Sequence, residues 1–165
     1  MPPPFKLTKQ IILTSRKLQT GPLDNYMHAA TLIHKLNMLL FECETLKDVQ
    51  HVLRLIFSDQ LLTCVIDFIT NTDQFANFGI RLLELLAMEY SPQVIKSGTL
   101  PVLLGLLRTN DYETIVQSLS FVSTLIKHAS KVSDVVSPSL LALIIKVCNK
   151  DPQLEYLYFT VDIVN

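Results

Sequence analysis

An all-α fold built from a repeated unit is what this sequence predicts, and three observations carry the prediction. Apolar residues recur at helical spacing through most of the 165 residues. Gly is scarce: four Gly and eight Pro are too few Gly for the turns of a β-sandwich or the loops of a nucleotide-binding α/β fold. The chain also matches itself when slid by about 40 residues, the length of a helical repeat.

The self-match is specific. A shift of 39 lays Thr70-Asn71 on Thr109-Asn110, Gly79 on Ser118, Leu83 on Val122 and Leu86 on Leu125. A shift of 40 lays Asp111 on Asp151 and Leu103-Leu104 on Leu143-Ile144. Small residues at 79 and 118 head a stripe on one helix face, where they let a neighbouring helix approach closely.

Taken in order, residues 1–22 read as a partly ordered N-terminal arm, because Pro2-Pro3-Pro4 is a poor helix start and termini fray unless tied down. Lys6, Lys9, Arg16 and Lys17 have no acid beside them, so the sharper reading is a basic segment that meets a partner's acidic surface. Gly21-Pro22 and Asp24 mark a helix start, and apolar positions from Tyr26 to Leu40 predict a helix from Asn25 to about Glu42. Thr45 followed by Asp48 resembles a capping box and opens a second helix to about Phe57. This pair, 24–57, reads as a capping hairpin. Further helices are predicted over 59–70 and from Gln74 to about Tyr90, with Ser91-Pro92 closing one and capping the next. Ser137-Pro138 caps a helix to about Asn149, and Asp151-Pro152 opens a last one that is either truncated or unusually short.

Residues 94–107, VIKSGTLPVLLGLL, resemble the armadillo repeat: an apolar pair, Gly98, Pro101, then leucines, with Asp111 opening the long last helix. The similarity is specific over 92–127, fair over 58–90, partial over 130–165 and absent over 24–57. It implies a right-handed α-α superhelix with repeats at 58–90, 91–127 and 130–165, a HEAT-like or other α-superhelix being the alternative. The family typically binds extended peptides in a concave groove lined by each repeat's third helix, through an Asn and a nearby Trp. Counted from Asp111 those positions fall on Thr124 and Ser120, and one repeat earlier on Leu85 and Arg81. The Asn–Trp ladder is absent at all four, which argues against import-style binding of basic peptides. The face itself, with Phe78, Arg81, Leu85, Gln117, Ser120 and Thr124, is the candidate partner-binding groove.

Composition narrows the function classes. Apolar residues make up 49% and charged residues 18%, with a mean hydropathy of +0.35, which suits a solenoid whose end face awaits a neighbour. Net charge is −1, and Lys96, Arg108, Lys127, Lys131 and Lys146 are mixed with acids, so no nucleic-acid stripe is expected along the second half. Cys43, Cys64 and Cys148 share no ligand spacing and read as reduced core thiols of a cytosolic protein, with the nucleus an alternative. His28 and His34, six apart on one helix, cannot share a metal, and His51 and His128 are isolated. No catalytic motif, metal site or cofactor is expected. The expected function is non-catalytic binding of a protein or peptide segment, as adaptor or scaffold. Self-assembly through a C-terminal face around Leu154, Tyr156, Tyr158 and Val161 is the competing one.

Overall fold

Among the described residues, five of the eight α-helices start at a side chain that takes up an orphaned backbone N–H, and the first, fifth and sixth start without one. In a computed structural model that describes residues 4–21, 25–72 and 74–151, the elements are α1 Phe5–Thr20, α2 Tyr26–Phe41, α3 Leu46–Ile56, α4 Asp59–Asn71, α5 Ala76–Lys96, α6 Thr99–Leu107, α7 Tyr112–His128 and α8 Pro138–Lys150, with a 3₁₀ turn at Val132–Asp134. The described residues include no strand. Thr45, Ser58, Asp111 and Ser137 accept hydrogen bonds from the amides of Asp48, Leu61, Thr114 and Leu140, capping α3, α4, α7 and α8. Asn25 does the same for α2 through the His28 amide. Helices α5 and α6 start without a side-chain cap: Phe75 precedes α5, and Gly98, at φ 90°, turns the chain into α6.

The N-terminal segment differs from the expected arm. Residues Phe5–Thr20 form a 16-residue helix, packed on α2, α3 and α4. Pro4 sits just before its first turn, where a proline needs no donor, and its carbonyl accepts from the Thr8 amide at 3.0 Å. Leu7, Ile11 and Leu18 are buried, and their i, i+4, i+11 spacing is a helical stripe. The end of α1 is tied to the start of α4: Ser58 Oγ donates to Gln19 Oε1 at 2.8 Å, and Gln60 Nε2 donates to the Gln19 backbone carbonyl at 3.0 Å. The pair α2 and α3 is therefore covered by a helix of its own chain.

Helix α5 is the hub, packed on α2, α3, α4, α6 and α7. It breaks at Tyr90, whose φ −128°, ψ 39° is not helical, where the sequence places Ser91-Pro92. Two contacts hold the break. The Tyr90 ring stacks on Phe57 with centroids 3.8 Å apart, and Ser91 Oγ, buried, donates to the His128 carbonyl at 2.8 Å. Gly79 lets α4 and α5 close up, since a Cβ there would lie 2.6 Å from Ile69 Cγ1.

Helices α4, α6 and α8 open at residues 59, 99 and 138, steps of 40 and 39 residues. Neighbour follows neighbour in two layers: α2, α5, α7 in one, and α1, α4, α6, α8 in the other. One apolar cluster runs between them from Leu7 to Cys148. The last helix expected from Asp151-Pro152, and the self-assembly face at Leu154, Tyr156, Tyr158 and Val161, lie outside the described residues. Among the described residues no helix is long and apolar enough to cross a membrane.

Candidate binding groove

The layer α2, α5, α7 carries all six groove residues expected from the sequence, and it sorts them into two groups. Gln117, Ser120 and Thr124 stand on α7 at i, i+3 and i+7, one face of the helix. All three are half-buried and turn onto one side chain of α5, Glu84. Gln117 Nε2 donates to Glu84 Oε2 at 2.6 Å, and Ser120 Oγ and Thr124 Oγ1 donate to Oε1 at 2.8 Å each. Their polar atoms thus fasten α7 to α5. A carboxylate holding three donors is a strong clamp, because hydrogen bonds to an ionised acceptor exceed neutral ones.

Arg81, one turn before Glu84, and Leu85, the residue after it, open instead onto a groove of about 520 Å³ between α2, α3 and α5. Its walls are His34, Met38 and Phe41 of α2, the turn at Cys43–Thr45, and Leu46 and Val49 of α3. Met38 is 51% exposed, Phe41 86% and Leu46 56%. The reason is geometric: Leu36, Asn37, Leu39 and Leu40 already fill the inward arc of α2, so the remaining apolar members of the run Met38-Leu39-Leu40-Phe41 face outward. Arg81 is exposed and makes no ion pair among the described residues. Glu44, exposed, lies on the same rim.

Phe78 closes the α2 side of this arrangement. Its ring lies 4.9 Å from His34 and 5.7 Å from Phe75, and its carbonyl accepts from Asn37 Nδ2 at 3.0 Å. Asn37 is buried, and its Oδ1 has no partner among the described residues. Cys43 also borders the groove. Burial, then the nearby Asp48 and Glu42 carboxylates, push its thiol above the usual range, which disfavours the thiolate.

A second concavity, of about 400 Å³, lies between the α6–α7 turn and α8, with Arg108, Tyr112, Lys146 and Lys150 around Leu143 and Val147. Among the described residues no three His, Cys, Asp or Glu side chains converge as metal ligands. Among the described residues no disulfide joins Cys43, Cys64 or Cys148.

The sequence pattern did not point to Glu84, Asn37, Met38, Phe41 or Leu46. The available signals were a lone acid inside Leu82-Leu83-Glu84-Leu85-Leu86 and an apolar run on α2 wider than one buried face. Comparison with known proteins returns no match among family models, curated proteins or solved structures.

Proposed function

We propose that this chain is a non-catalytic protein–protein interaction module, an adaptor or scaffold piece, built as a right-handed superhelix of armadillo-like repeats. The superhelical reading is supported by the 39- and 40-residue steps, by the two-layer order of neighbours, and by the turn at Gly98 followed by Pro101. The resemblance of 94–107 to the armadillo pattern agrees with these.

One observation carries the binding role: Met38, Phe41 and Leu46 stay largely exposed around a groove that also holds Leu85 and an exposed Arg81 with no ion pair among the described residues. A large aromatic side chain left in water beside other apolar side chains is a ready anchor, and a guanidinium at the rim orients a partner with little cost in specificity. The partner that fits is a peptide segment or helix with apolar side chains for Phe41 and Leu46 and a carboxylate for Arg81. The bound segment would lie across α2, α3 and α5. The residues of α7 act behind it, holding Glu84 and hence the α5 backbone in place.

The test is affinity capture from cell extract with the unaltered chain beside an F41S/R81E variant, both shown folded by circular dichroism. A partner retained by the first and lost by the second is the expected result. Identical capture by both would sink the groove as the binding site.

A further inference from the structure

The face of α1 turned away from the protein carries exposed basic and apolar side chains with no acidic one among them. At ~100° per residue, Phe5, Lys6, Lys9, Leu13, Arg16 and Lys17 fall within an arc of about 120°, and all six are exposed. The buried stripe of Leu7, Ile11 and Leu18 occupies the opposite side. Four basic residues of the chain's 14 are here and none of its 15 acidic ones, leaving ten basic against 15 acidic side chains elsewhere. The helix thus carries +4 and the rest of the chain −5. None of the four cations makes an ion pair among the described residues.

We propose that this face of α1 docks the protein, reversibly and without insertion of the helix, on a lipid surface that carries anionic headgroups. Three features select that occupant. The stripe runs straight for about 18 Å, the rise from Phe5 to Lys17 at ~1.5 Å per residue, so a plane can meet all of it at once. Phe5, 82% exposed, and Leu13, 43% exposed, are set among the cations as side chains that enter the headgroup–acyl boundary while Lys and Arg stems keep their charges in the aqueous layer. A partner helix fits less well. The two apolar residues are eight apart and form no i, i+3, i+4, i+7 seam, so helix packing would bury unmatched charges. The charge segregation adds orientation, because an anionic plane attracts α1 and repels the remainder. This proposal is independent of the groove between α2, α3 and α5.

Co-sedimentation with vesicles tests it, using phosphatidylcholine alone and phosphatidylcholine mixed with phosphatidylserine. The full chain is expected to pellet only with the mixed vesicles, and less so as salt rises. K9Q/R16Q should weaken that partitioning about 25-fold, at roughly fivefold per basic residue. K146Q/K150Q, which removes two exposed cations of α8, should leave it unchanged. F5S/L13S should bind at low salt and lose the binding that persists at high salt. Circular dichroism keeps the variants comparable, since every altered side chain is exposed. The proposal is overturned if the folded chain ignores the mixed vesicles. It is equally overturned if K9Q/R16Q pellets like the unaltered chain, if F5S/L13S matches it at every salt concentration, or if the chain retards duplex DNA or an acidic peptide while leaving the vesicles in suspension.

Discussion

Removing Glu84 should loosen the α5–α7 seam more than any other single polar change. In Glu84→Ala, Gln117, Ser120 and Thr124 lose an acceptor that they meet at 2.6, 2.8 and 2.8 Å. Hydrogen bonds to a charged partner contribute ~1.5–3 kcal/mol each. The site is half-buried, so water recovers part of that in the variant, and a net loss of about 2–4 kcal/mol is expected. Urea unfolding followed by circular dichroism measures it as a lower midpoint at unchanged slope. Glu84→Gln keeps the volume and one acceptor oxygen but sets its own amide against that of Gln117, so an intermediate loss of about 1–2 kcal/mol is expected. A double-mutant cycle with Ser120→Ala isolates the contact, and the two changes should be non-additive by at least ~0.5 kcal/mol. Strict additivity, or Glu84→Ala within ~0.5 kcal/mol of the unaltered chain, would refute the clamp.

The two helical glycines should respond with opposite sign in the same assay. Gly79→Ala puts a Cβ 2.6 Å from Ile69 Cγ1, and overpacking of ~1–3 kcal/mol less ~1 kcal/mol of helix propensity leaves a destabilisation of about 1 kcal/mol. Gly105→Ala meets nothing within 4 Å and should stabilise by about 0.5–1 kcal/mol. Asp111→Ala removes the cap on α7, where Asp111 accepts from both the amide and the hydroxyl of Thr114, and should cost about 1–2 kcal/mol in the urea midpoint. Burial raises the thiol of Cys64, with Asp67 adding to it, as burial with Asp48 and Glu42 raises that of Cys43. The folded state therefore favours the neutral thiols. Their contribution is whole below the ordinary value of 9.0 and is lost as pH climbs through it toward the raised folded values. Unfolding midpoints should fall over that alkaline range, and fall less in C43A/C64A.

Local signals made α2 to α8 legible in the sequence. A capping side chain at Thr45, Ser58, Asp111 and Ser137 precedes each of four helices, and the apolar stripes behind them have one period. The Tyr90 break could be read because Ser91-Pro92 restarts a helix. Helix α1 could not be read with the same ease. Its three prolines and acid-free first turn lack the usual start signs, while its stability comes from burying Leu7, Ile11 and Leu18 on helices that follow it. The groove face was visible only as a helical angle. Periodicity tells that Gln117, Ser120 and Thr124 share a side of α7, but not that a carboxylate 33 to 40 residues earlier occupies it. Likewise the exposure of Phe41 depends on how much of α2 its neighbours cover, a quantity set by packing across the chain.

Site-specific photo-crosslinking tests the binding groove most directly. A photoreactive residue replaces Met38, in the wall of the α2–α3–α5 groove, or Ser139, exposed on α8. The protein captured by the unaltered chain should crosslink strongly from position 38, lose that crosslink when Arg81→Glu is added, and crosslink weakly from position 139. Strong crosslinking from 139 with none from 38 would place the partner elsewhere and contradict the proposed groove.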